Sequence, residues 1–254
     1  MANNTKRFQR TEALLGAQAM KNLASSSVMI VGLGAVGGYV LEALARAGIG
    51  KLILVDFDVI EETNINRQIL ALSSSIGKSK VEVAKERVLE INPDCHVKTI
   101  EMFVNSDTIN DLLQNHVDMV IDAIDALNPK CCLMEELYKK GIPFISSMGA
   151  ALKTNPACIK LTKLANSKNC GLARFIRKRL KKRGIDISKI DCVFSDEQVD
   201  VQEDAIFLEE NSENATISQG KHGRIRNTLG SLPTITAIFG LTIANQVILK
   251  LSNR

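Results

Sequence analysis

The sequence predicts an α/β protein with a doubly wound, mostly parallel sheet and a smaller C-terminal α+β extension. Three observations carry the prediction. Short apolar runs rich in Val, Ile and Leu alternate with stretches of helical periodicity from Val28 to about Ser146. A glycine-rich turn, Gly32-Leu33-Gly34-Ala35-Val36-Gly37, joins the first run to the helix after it. An acidic residue, Asp56, closes the second run, 19 positions after Gly37. Strand, glycine turn, helix, strand and acid in that order form a nucleotide-binding half-sheet.

The elements follow in order. Lys6 to Leu23 reads as an amphipathic helix carrying Leu14, Leu15 and Leu23. Val28–Val31 is a buried strand, and Ala35 to Ala47 is a helix ended by Gly48. Lys51–Val55 is the second strand. Lys80–Ile91 is a helix that stops before Pro93. Val97–Ile100 and Met119–Ile121 are strands, the latter running into Asp122-Ala123-Ile124-Asp125. Pro129 to Lys140 is a helix with proline in its first turn, and Pro143–Ser146 is the next strand. Ligands of such sheets lie beyond the C-terminal strand ends, where all these motifs fall. After about Thr162 the composition changes, which sets domains of 6–162 and 163–254. Leu172, Phe175, Ile176 and Leu180 recur at helical spacing and leave Arg174, Arg177, Lys178, Lys181 and Lys182 on the other face. Asp196–Asn214 is acidic, and Gly220–Arg226 is a second basic loop with Lys221, Arg224 and Arg226.

The bulk numbers exclude several classes. At 254 residues and 45% apolar content the chain can bury a sizeable core, so it is not a disordered protein. A net charge of +4 does not by itself imply a nucleic-acid partner. None of the six cysteines forms a C-x-x-C pair and there are three histidines, so no zinc site of the usual spacing is expected. Scattered thiols and a polar Met1–Gln9 fit the cytoplasm. Leu229–Leu251 is largely apolar but contains Pro233, Gly240, Asn245 and Gln246. It is expected to be a buried helix, with no stable membrane association.

Each motif suggests a chemistry. The glycine turn lets backbone approach phosphate, and the helix after it offers unpaired N–H groups to an anion. Asp56 can accept both ribose hydroxyl protons, with Asp58 as a neighbour; NAD enzymes use the same device, so this residue does not separate NAD from ATP. Arg67 follows Asn64-Ile65-Asn66 on a loop and precedes Gln68. Its guanidinium can offset charge developing on phosphate, or it can make a loop salt bridge. Lys80 can add a point charge to the same phosphates; Lys78 competes for that role, and an exposed helix lysine is the bland alternative. Asp125 is the better candidate to bind magnesium with ATP phosphates, while Asp122 is expected to orient loop groups. Alternatively, both aspartates cap the following helix.

In this order the motifs resemble the ThiF/MoeB-type adenylating domain of ubiquitin-activating-like enzymes, over Arg7 to about Ser147. The matching residues are Gly32, Gly34, Gly37, Asp56, Asn64, Arg67, Gln68, Lys80 and Asp125. The resemblance implies that Asp56 and Lys80 hold ATP, that Arg67 acts on phosphate and that Asp125 binds Mg2+. It also implies that Arg10 reaches the partner subunit's site, which makes the protein a homodimer. Sulfur-carrier activators of this kind usually carry two C-x-x-C pairs, which are missing here. The strings Arg7-Phe8, ALARAGIGKLILVDFD, NINRQI, INPDC, VIDAID, DCVFS and TAIFG are similar instead to the tRNA threonylcarbamoyladenosine dehydratase branch, over nearly the full length.

That resemblance implies ATP-dependent cyclisation of the threonylcarbamoyl group beside the tRNA anticodon, through an acyl-adenylate. It assigns the basic face of 172–183, with Lys221, Arg224 and Arg226, to the tRNA backbone. Thr228 stands where some relatives are expected to carry a cysteine, which favours direct chemistry on the adenylate. A cysteine desulfurase or sulfur acceptor is a candidate partner. The alternatives are activation of a sulfur-carrier or ubiquitin-like protein at its C-terminus, and an NAD-dependent oxidoreductase or nucleotide sensor. NAD chemistry does not require Arg67, Lys80 or Asp125.

Overall fold

The computed structural model describes residues 6–199 and 229–253. Seven strands form one sheet: β1 (Ser27–Val31), β2 (Lys51–Asp56), β3 (His96–Glu101), β4 (Met119–Asp122), β5 (Phe144–Ser147), β6 (Ile159–Lys163) and β7 (Asp191–Ser195). The spatial order is β3-β2-β1-β4-β5-β7-β6. All pairs are parallel except β6 with β7. The chain runs outward from β1 to β3 and then returns to place β4 on the other side of β1. The topological switch therefore lies between β1 and β4, and a ligand crevice opens there at the C-terminal strand ends.

Helices cover both faces. Side chains of successive strand residues point to opposite sides. Val28, Ile30, Leu52 and Leu54 pack with α2 (Ala17–Ser25), α3 (Gly37–Ala47), α4 (Lys80–Ile91) and α8 (Pro233–Leu251). Met29, Val31, Ile53 and Val55 face α5 (Ile109–Leu112) and α6 (Leu127–Lys139). A further cluster joins α6, β7 and α7 (Gly171–Lys182). The boundary drawn at 162/163 falls at the end of β6, within this one sheet. Beyond it, β7 inserts between β5 and β6, and α8 lies along α3.

The apolar C-terminal segment is a helix packed on the core. Pro233–Leu251 has the length and hydropathy of a membrane span (19 residues, mean hydropathy 1.5). Its Ile235, Phe239, Ile243, Ala244 and Val247 are nevertheless buried with α3. Gly240 permits the approach, since a Cβ there would stand 2.6 Å from the Val36 carbonyl oxygen.

Three element boundaries differ from expectation. The single helix expected over Lys6–Leu23 is two, α1 (Gln9–Leu15) and α2, because Gly16 at φ 91 and ψ 159 cannot continue the first. The helix after the glycine turn starts at Gly37 rather than Ala35, the Tyr39 N–H donating to the Val36 carbonyl three residues back in a tighter turn. The helix expected from Pro129 starts at Leu127, with Ala126 at its N-cap position. Periodicity did not reveal α5 or β6, which span only 4 and 5 residues.

Candidate active site

The site is built where β1, β2 and β4 end together. Val31 is in register with Val55 on one side and with Asp122 on the other. The Gly32 N–H donates to the Val55 carbonyl, and the Ala123 N–H donates to the Val31 carbonyl. The glycine turn and the loop after β4 are thus tied edge to edge across the switch point.

The three glycines of the turn have different reasons to be glycine. Gly32 has φ +94, and a Cβ would stand 2.8 Å from the Ala123 carbonyl oxygen. At Gly37 a Cβ would overlap the Gly32 carbonyl oxygen at 1.8 Å. At Gly34 a Cβ would meet nothing nearer than Gln68 Nε2 at 3.8 Å, so the fold does not demand glycine there. The open space suits close approach of phosphate to backbone. Gln68 supports a polar ligand here: it is buried, and its amide oxygen has no hydrogen-bond partner among the described residues. An orphaned buried acceptor beside an open glycine fits a group that brings its own donor.

Asp56 is buried at the tip of β2. One carboxylate oxygen accepts the Leu33 N–H at 2.6 Å, and the other accepts the Asp58 N–H at 2.9 Å. Burial pushes its pKa up, against the opposing pull of Lys80 and of these two donors. Each oxygen keeps a free lone pair for a ribose hydroxyl. Lys80 is not an exposed helix lysine. It is 5% exposed at the first position of α4, and its Nζ pairs with Asp58 at 2.9 Å. An ammonium has three donors, so the pair with Asp58 aims Lys80 without exhausting it.

The loop 57–79 presents Arg67. Asn64 is buried and shapes a one-turn 3-10 helix, its amide oxygen accepting the Glu61 N–H at 3.2 Å. Arg67 donates to the Thr63 carbonyl at 3.0 Å and to Asn66 Oδ1 at 2.9 Å. Both acceptors are neutral, so the guanidinium is positioned and its charge is not cancelled by them. Asp125 is exposed one residue beyond Ile124 in the loop after β4. Arg10 is exposed on α1, a helix that buries none of its residues.

Asp122 does orient the loop, and it does so with a residue that sequence reasoning missed. Asp122 and Lys130 are both wholly buried, and Nζ lies 2.8 Å from the carboxylate. The missed signal is Lys130's place on the apolar stripe of α6 beside Leu127, Cys131, Met134 and Leu137. A lysine on such a stripe demands a buried partner.

On α7 the predicted basic residues divide. Lys178, Lys181 and Lys182 are exposed, as is Arg174, whose guanidinium lies 5.0 Å from the Phe175 ring centroid. Arg177 is half-buried and donates to the Ser167 carbonyl at 2.6 Å, which ties α7 to the preceding loop. Arg179 bonds Asn128, and Arg183 pairs with Glu135, fastening α7 to α6. Lys221, Arg224, Arg226 and Thr228 lie outside the described residues. Burial pushes the Cys131 thiol up to about 11 and the Cys192 thiol up to about 12, so neither is a thiolate nucleophile at neutral pH.

A glycine turn, a strand-end aspartate and a buried lysine stand at the strand ends, and the loop that bears the arginine meets the turn through Gln68, the arrangement expected of an ATP-binding adenylating domain. The ThiF family model matches residues 8–254, and the chain belongs to the ThiF family. A Bacillus subtilis tRNA threonylcarbamoyladenosine dehydratase is 35% identical over 96% of this chain and 94% of its own. The solved structure of Escherichia coli tRNA N6-threonylcarbamoyladenosine dehydratase in complex with ATP superposes with a TM-score of 0.83 at 32% identity, covering 98% of this chain and 95% of that one. An adenylyltransferase and sulfurtransferase MOCS3 from Drosophila ananassae is 36% identical, but over only 55% of this chain and 30% of its own.

Proposed function

We infer that this protein is an ATP-dependent dehydratase of N6-threonylcarbamoyladenosine in tRNA. The observation that carries this reading is the reach of the likeness. Similarity to dehydratases covers 96% of the chain, whereas that to the adenylyltransferase and sulfurtransferase MOCS3 covers 55% of it. The second half of the chain is where the acceptor should be distinguished, since both classes share adenylation.

The reaction has two steps. A threonyl carboxylate oxygen attacks the α-phosphorus of ATP, and the bond to pyrophosphate breaks. A nitrogen or oxygen of the carbamoyl unit then attacks the activated carbonyl carbon, loses its proton, and AMP leaves with the former carboxylate oxygen. The sum is loss of one water from the nucleoside, driven by ATP. Asp56 would hold the ribose, the Gly34 edge would admit the phosphates, and Lys80 and Arg67 would offset charge as the α-phosphate reacts. Asp125 would hold magnesium, which supplies charge neutralisation on the phosphates. One carboxylate plus substrate phosphates is a normal magnesium donor set.

The same reading makes the protein a homodimer in which Arg10 reaches the neighbouring site. It sets the exposed face of α7 against tRNA phosphates, with Lys221, Arg224 and Arg226 completing it. Arg177 acts there by holding the helix. A tRNA substrate and six free cysteines fit the reducing cytoplasm. A cysteine desulfurase or sulfur-acceptor partner is an additional proposal. The test is to incubate the purified protein with threonylcarbamoyladenosine-containing tRNA, ATP and magnesium, then analyse the nucleosides by mass spectrometry. Loss of one water from that nucleoside with stoichiometric AMP is expected. AMP formation that requires a carrier-protein C-terminus instead would overturn the reading.

A further inference from the structure

We propose that the buried Lys130–Asp122 pair is a positioning device that clamps residue Ile124 by both its backbone N–H and its carbonyl and so fixes the direction of Asp125. Asp122 Oδ1 accepts the Ile124 N–H at 3.1 Å, and Lys130 Nζ donates to the Ile124 carbonyl at 2.9 Å. The two side chains bind each other at 2.8 Å, and the Ser146 hydroxyl donates to the same Asp122 oxygen at 2.7 Å from the neighbouring strand. The clamp has a rigid base. Asp122 is the last residue of β4, Ser146 belongs to β5, and Lys130 is in the first turn of α6. The preceding residue is held as well, since the Ala123 N–H donates to Val31 and the Ala123 carbonyl packs against Gly32.

Packing alone does not account for the pair. Well-packed apolar residues of similar volume fill a buried site as well as an ion pair does, often with no loss of stability. They cannot hydrogen-bond both the N–H and the carbonyl of one residue, and here that residue directly precedes Asp125. The loop has no other regular structure to aim it: Asp122 ends the strand and Leu127 begins the helix. A strand, a buried ion pair and a helix start thus converge on a single exposed carboxylate. A carboxylate that joins magnesium to phosphate must be held to a fraction of an ångström.

This inference rests on Asp125 as the magnesium ligand, and the experiment separates the two ideas. Two double variants are compared with the parent and with Asp125→Ala. Asp122→Asn/Lys130→Gln removes the charges but keeps an acceptor for the Ile124 N–H and a donor for its carbonyl. Asp122→Leu/Lys130→Met fills the same space with no hydrogen bonds. Three readouts are taken: ATP affinity without magnesium, the magnesium concentration for half-maximal tightening of ATP binding, and hydrogen exchange over 122–127. The neutral polar pair should stay within about threefold of the parent in all three. The apolar pair should keep its magnesium-free ATP affinity, but need about tenfold more magnesium and exchange the Ile124 amide at least tenfold faster. If the apolar pair does not fold, Asp122→Asn/Lys130→Met, which drops only the donor to the carbonyl, is read the same way. Parental magnesium dependence and exchange in the variant lacking the hydrogen bonds would overturn the clamp, as would equal impairment of both doubles. Unaltered magnesium dependence in Asp125→Ala would overturn the ligand assignment instead, and exchange would still judge the clamp.

Discussion

Gly34 and Gly37 lie three positions apart in one turn, yet they predict opposite outcomes on substitution. Gly37→Ala drives a methyl into the Gly32 carbonyl at 1.8 Å, so a loss of at least ~3 kcal/mol is expected in a denaturant titration. Gly34→Ala meets nothing within 3.8 Å and should change stability by under ~0.5 kcal/mol, while ATP binding by calorimetry drops sharply. A Gly34→Ala protein with normal ATP affinity would show that the open edge does not receive phosphate. Arg67→Ala should lower AMP formation by roughly 10²–10³-fold with the melting temperature unchanged, because its partners among the described residues are a loop carbonyl and Asn66. Lys130→Met alone leaves Asp122 charged and buried, so a cost of about 3–5 kcal/mol is expected from thermal unfolding.

At the level of elements, α7 carries the acceptor hypothesis. Its buried face of Leu172, Ala173, Ile176 and Leu180 packs against β7 and α6, and Arg179 and Arg183 anchor it to α6. That leaves Lys178, Lys181 and Lys182 in solvent. Reversing these three to glutamate should cost little stability and weaken tRNA binding. It should also reduce the slope of log affinity against log salt by roughly 0.7–0.9 unit for each phosphate that is no longer neutralised. Fluorescence anisotropy across salt concentrations measures this, with ATP affinity as the unchanged control. An unaltered salt slope would take α7 out of the tRNA interface. The break at Gly16 belongs to this scale too. It lets α1 leave the line of α2 and carry Arg10 on a helix with no buried residue.

For the whole molecule, the question is whether one chain completes a site. Arg10 is exposed on α1, and Asp125 is exposed in the loop after β4. If Arg10 serves the neighbouring subunit, mixing Arg10→Ala with Asp125→Ala should produce hybrid dimers with one intact site. About a quarter of parental AMP formation should return after equimolar subunit exchange, since about half of the dimers are hybrids and each hybrid has one intact site of two. Demonstrated exchange with no recovered activity would mean that each site is built from a single chain.

The sequence by itself determined the nucleotide half of the sheet. Its strands are continuous apolar runs, Gly32 and Gly37 stand where backbone must pass backbone, and Asp56 ends the second of those strands. Those are local constraints, and local constraints leave a mark on the order of residues. Only the tertiary structure decided what had no periodic trace. The insertion of β7 between β5 and β6 joins segments distant in sequence, and so does the packing of α8 on α3. Lys130 is buried by the fold against Asp122, eight positions earlier on a different element. For Lys80 the residue order left a phosphate contact and an exposed helix position both open, and the packing of α4 buries it beside Asp58. A buried charge is recognised by the partner that offsets its desolvation, and that partner is chosen by the packing of whole elements.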